Sequence, residues 1–168
     1  MTRGGLVALL GLGGAAVLLV ATNAEGASTV IPGSVLNWQA VAEKYAAIYS
    51  ILNPEEILSI IWTESTGNAK GENPGDPSWG LMGVTTLIAR SYGGFTSGDD
   101  SWKTDGDKNV RAGAGFLAYL KDRYSAKYPN WVEIYNVGET KFLRGIGNPD
   151  YSRRFFSQLN ALTTQQAG

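Results

Sequence analysis

The chain begins with an unbroken apolar run from Gly4 to Ala21, behind Arg3 and ahead of the polar stretch Thr22-Asn23-Ala24-Glu25-Gly26. A run of about 18 residues is just long enough to span a bilayer and slightly long for a signal-peptide core. A soluble core helix would show a polar face, and this run has none. With Arg3 held on the cytoplasmic side, everything after Ala21 is expected outside the cytoplasm. Thr22 makes an imperfect small-x-small site before Ala24, and Gly4, Gly5, Gly11, Gly13 and Gly14 lower the hydrophobicity. Anchor, cleaved signal and a weak segment that leaves the membrane therefore stand as alternative readings. The pattern divides the chain into a membrane or signal segment (1–24), a small, polar linker with Pro32 (25–33) and a domain (34–164).

From Ser34 onward the apolar period is helical. Val35, Trp38, Ala42, Tyr45 and Ile48 follow i, i+3, i+4 steps behind Ser34 as a cap. A second helix opens at Asn53, with Pro54 in the first position and Glu56 placed as the acid of a capping box, and stops at Gly67. Residues 71–79 (Gly-Glu-Asn-Pro-Gly-Asp-Pro-Ser-Trp) are turn chemistry. Further helices are predicted at about 85–92, 108–124, 131–136 and 151–162. No alternating run is long enough for a buried sheet, although the Gly/Pro loop has room for a minor hairpin. The fold class expected is all-α, a small helical domain behind an N-terminal membrane or signal helix.

Composition narrows the chemistry. The 168 residues contain no His and no Cys, which excludes Ser-His-Asp and Cys-His nucleophiles, imidazole or thiolate metal sites and disulfides. Fourteen Lys and Arg against fifteen Asp and Glu leave a net charge of −1, so no basic field favours nucleic acid. The acidic loop at Asp105 and Asp107 fails as a calcium loop, with Val110 at the sixth position and Phe116 at the twelfth. No cofactor and no metal are expected.

One carboxylate stands out. Glu64 lies four residues after Ile60, three after Ile61 and seven after Ile57, which places it on the apolar stripe of its helix. It also falls in the last turn, where the helix dipole opposes negative charge. Desolvation and dipole both favour the neutral acid, the form a general acid needs. Glu55 and Glu56 sit in the first turn, where acids belong for structural reasons. The plain alternative is an ion pair with Arg111 or Arg154.

Ile57–Ser65 followed by Trp79–Val84 (Trp-Gly-Leu-Met-Gly-Val) resembles the catalytic domain of lytic transglycosylases and the related goose-type lysozymes, whose lysozyme-like fold it implies. Three further blocks follow in the family's order. Asn109-Val110-x-x-Gly113-x-x-Phe116-Leu117 is similar to the Asn-Ile-x-x-Gly-x-x-Tyr-Leu helix, Tyr135-Asn136-Val137-Gly138 to the Tyr-Asn-x-Gly block, and Tyr151-Ser152-Arg153-Arg154 to the closing Tyr-x-x-Arg helix.

The resemblance implies Glu64 as sole acid/base, with Ser65 supporting it or the sugar. It implies Gly80, Leu81 and Met82 as cleft wall, Tyr135 as the group that orients Glu64, Asn136 as a holder of neighbouring backbone, and Tyr151 as part of the cleft. Leu81 and Met82 read equally well as core, and Gly113 with Gly115 as sites of close helix packing. Two positions depart from the family: Gly83 replaces the usual Gln, and Phe116 the common Tyr.

The reaction implied is cleavage of peptidoglycan glycan strands between N-acetylmuramic acid and N-acetylglucosamine, leaving 1,6-anhydro ends. A goose-type hydrolysis would need a second acid, for which Asp76 is the candidate and Asp99 and Asp100 weaker ones. A membrane-tethered glycan-binding scaffold is the reading from another class. Trp79, Trp102 and Trp131 serve either as sugar platforms or as core. A small catalytic domain behind a Gly-rich apolar segment suits a phage muralytic protein or a bacterial wall-remodelling enzyme, in either case exported or membrane-anchored through residues 4–21.

Overall fold

The structure is a computed structural model and describes residues 19–22, 28–73, 75 and 77–166. The chain order is β1 (Leu19–Thr22), β2 (Ser28–Ile31), α1 (Gly33–Leu36), α2 (Gln39–Ile48), α3 (Pro54–Ser65), β3 (Ser78–Trp79), β4 (Val84–Thr85), α4 (Thr86–Gly93), a 3-10 turn (Ser101–Lys103), α5 (Gly106–Tyr124), α6 (Glu133–Val137), α7 (Glu139–Leu143) and α8 (Pro149–Gln166). Helices dominate, as the apolar period predicts, and the Gly/Pro loop does close into a small hairpin in which Ser78 pairs with Thr85 and Trp79 with Val84.

The centre is α3. Ile57, Leu58, Ile60 and Ile61 are all fully buried, because its i, i+3, i+4 stripe is apolar on more than one side. It packs on α8 along one flank and on α2 along another, while α5 packs on α4 and α2. Its start is set by the capping box: the Asn53 amide donates to Glu56 Oε2 at 2.8 Å. The same carboxylate takes the Lys121 ammonium at 2.7 Å, which ties α3 to α5. The end is set by Thr66 (φ 52°), whose left-handed backbone cannot continue a helix.

The acidic loop before α5 also has structural work. Asp105 caps the helix by accepting from the Lys108 amide at 3.2 Å, and Asp107 holds Lys44 and the Tyr45 hydroxyl of α2 at 2.8 and 3.0 Å.

Several expectations need correction. The single helix read from Ser34 is two, α1 and α2, broken at Asn37 and Trp38. Ser34 does not cap it, since its hydroxyl donates to the Thr66 carbonyl at 2.8 Å. Ile48, placed on the buried stripe, is 59% exposed at the end of α2. The linker 25–33 contains a strand, β2, and Ile31 is fully buried in the core.

The apolar run 4–21 lies mostly outside the described residues. Its last three residues belong to β1, paired antiparallel with β2, and not to a helix. Among the described residues no helix is long and apolar enough to cross a membrane.

Candidate active site

A cleft of about 340 Å³ opens at the C-terminal end of α3. Glu64, Ser65 and Asn68 come from the helix end, Glu72 and Asn73 from the loop, and Trp79, Gly80 and Gly83 from the hairpin. Glu64 is half-buried on its wall, so the stripe that predicted an inward acid ends at a groove.

Helix α8 supplies the partner. The Tyr151 hydroxyl donates to Glu64 Oε1 at 2.5 Å. Tyr151 is 1% exposed, and burial, then the adjacent Glu64 carboxyl, hold its phenol well above the ordinary tyrosine range. It therefore keeps its proton, and its role as a donor, through mildly alkaline solution. Glu133 sets the start of α8 beneath it. Its buried carboxyl group accepts from the Asn148 amide at 2.8 Å and the Ser152 hydroxyl at 2.8 Å, an acidic side chain at a helix N-terminus. Thr63 completes the clamp between α3 and α8 by donating to Gln158 Oε1 at 2.5 Å.

The hairpin turn is fixed from three sides. Ser65 Oγ donates to the Leu81 carbonyl at 2.8 Å, which joins the end of α3 to the turn. The Tyr135 hydroxyl donates to the Met82 carbonyl at 2.9 Å. Asn109, fully buried on α5, accepts from the Met82 amide at 2.9 Å and donates to the Trp79 and Trp102 carbonyls at 2.9 and 3.1 Å. Gly113 lets α5 approach this turn, since a Cβ there would meet the Met82 side chain at 2.6 Å.

These anchors redistribute the expected roles. Glu64, Ser65 and Gly80 line the cleft. Leu81 and Met82 do not form its wall with their side chains, which are fully buried. Pinning both carbonyls turns those side chains into the core.

The two tyrosines differ from their expected parts. Tyr135 orients the turn through Met82, while Tyr151 is the one that donates to Glu64. Asn136 accepts from the Asn148 side-chain amide at 2.8 Å at an exposed position, and holding backbone falls to Asn109 instead. Arg111 stands over the Phe95 ring and Arg154 over the Tyr151 ring. Trp102 and Trp131 are core, whereas Trp79 is half-buried on the cleft with Lys103 Nζ 4.5 Å from its ring centre.

Asp76 lies outside the described residues. Asp99 accepts from the Ser101 hydroxyl and Asp100 pairs with Lys103, both on the exposed loop before α5. The carboxylate missed in the sequence is Glu72, which shares the cleft with Glu64 and whose backbone bridges Trp79. Its place depends on that bridge, for which a run of turn residues gives no register.

The family described as Transglycosylase SLT domain matches residues 40–154, most of the helical domain. The chain belongs to this family. No individual curated protein matches it. The SLT domain thus accounts for the order of the four sequence blocks. Its transglycosylase-type, lysozyme-like character implies peptidoglycan as the polymer bound.

Proposed function

We propose that this SLT domain is a peptidoglycan lytic transglycosylase in which Glu64 acts first as acid and then as base. The observation that carries the reading is the Glu64 carboxyl on the cleft wall with Oε1 held by Tyr151. With the phenol donating to Oε1, the proton to be transferred is assigned to Oε2. Glu64 gives this proton to the oxygen joining N-acetylmuramic acid to N-acetylglucosamine, and the C1–O bond breaks. The oxocarbenium-like centre is stabilised by the substrate's own acetamido group. The carboxylate then takes the proton of the muramic C6 hydroxyl as its oxygen bonds to C1, which closes the 1,6-anhydro ring without water.

A hydrolytic reading has one observation in its favour, the presence of Glu72 in the same cleft. Two carboxyl groups flanking the bond are the usual equipment for glycoside hydrolysis. Since murein lies outside the cytoplasmic membrane, either reading requires export. The run 4–21 behind Arg3 is the segment proposed for it, as anchor or signal. Enzyme and scaffold separate in one assay. The full chain, mixed with purified sacculi, is expected to release soluble muropeptides. Co-sedimentation without any release would make it a binding module.

A further inference from the structure

Position 83 is one of the two places where the chain departs from the motif it resembles, with Gly in place of the Gln that follows Met. Its backbone is left-handed (φ 57°), and a Cβ built on it would stand 2.6 Å from Glu64 Oε2 and 3.2 Å from the carboxyl carbon. Something would have to move. The turn is poorly placed to yield, because Asn109 holds the Met82 amide, Tyr135 holds the Met82 carbonyl and Val84 is paired with Trp79. The helix end is held as well, through Ser65 on the Leu81 carbonyl. The carboxyl group is the flexible end, and it can leave only by giving up the Tyr151 hydroxyl on Oε1.

We propose that Gly83 is a positioning residue for Glu64, its bare Cα seating the carboxyl with Oε1 on Tyr151 and Oε2 reachable from the cleft. The inference rests on the acid/base reading of Glu64. It turns the departure from the family into a requirement of this chain: on this backbone, restoring Gln displaces the acid.

The test uses the full chain with Gly83→Ala and Gly83→Gln, each alone and combined with Tyr151→Phe, assayed on solubilised murein strands. Gly83→Ala is expected to lower kcat about 100-fold with KM within about threefold, the signature of a displaced reacting group on an intact binding surface. Gly83→Gln should be at least as poor. With Phe at position 151 the carboxyl has already lost the phenol on Oε1, so adding Gly83→Ala should cost less than about fivefold more.

An unchanged kcat in Gly83→Ala would overturn the proposal, as would losses that multiply independently in the double variant. Should the Ala variant fail to fold, Gly83→Asn carries the same Cβ with better tolerance of a left-handed backbone, and the same kcat loss is expected. If Glu64→Gln itself keeps full activity, the acid assignment fails and takes this inference with it. If Glu64→Gln is inactive while Gly83→Ala works normally, only the role of Gly83 is refuted.

Discussion

Glu64→Gln is expected to reduce muropeptide release from sacculi by about 10³-fold or more, at the upper end of what general acid–base groups contribute. The amide keeps the size of the acid, and its carbonyl oxygen still accepts from the Tyr151 hydroxyl that now reaches Oε1. What disappears is the transferable proton and, with it, the base that the second step needs. Because the proposed acid and base steps both run through this one carboxyl, its loss is not expected to be rescued by the other half of the mechanism. The melting temperature and the co-sedimentation with sacculi should stay near those of the wild type. That separates a chemical loss from a structural one. Unchanged lysis would show that the acid lies elsewhere, with Glu72 the other carboxyl group that lines the cleft.

Asn109→Ala carries the largest expected effect on stability. Asn109 is fully buried and serves three backbone groups, the Met82 amide and the Trp79 and Trp102 carbonyls. Truncation leaves these groups unpaired, at about 1–3 kcal/mol each and with incomplete additivity, so a total of about 3–5 kcal/mol is expected. For a domain of this size that lowers Tm by roughly 10 °C, readable in a thermal melt. Asn109→Asp is a useful companion, because it keeps the acceptor for Met82 but loses both donors and places a carboxylate against two carbonyls. It should be no better than Ala. A loss below about 1 kcal/mol in Asn109→Ala would mean that the turn is held by Ser65 and Tyr135 alone.

Local chemistry made part of this legible in the sequence. Asn53, Pro54 and Glu56 mark the start of α3 because capping is decided within one turn of chain. The inward placement of Glu64 follows from helical spacing alone, since three buried isoleucines on one helix fix the direction of the fourth position.

Features set by tertiary contacts were not legible. Spacing cannot say that Tyr151 and not Tyr135 donates to Glu64, because the answer depends on where α8 crosses α3. Leu81 and Met82 could be read as wall or core until the anchors on their carbonyls decided it. The break at Asn37 and Trp38 comes from long-range ties: the Trp38 indole donates to the Gly67 carbonyl at 3.1 Å and Ser34 to Thr66. The strand at Ser28–Ile31 was invisible because four residues beside a proline carry no period of their own.

The most direct measurement is digestion of purified sacculi by the full chain in water enriched in oxygen-18, with the new glycan ends read by mass spectrometry. If Glu64 works alone with the muramic C6 hydroxyl as nucleophile, the new ends are anhydromuramic, lighter by one water, and carry no label. One oxygen-18 on each new reducing end would contradict this and show that water, not the sugar's own hydroxyl, completes the cut.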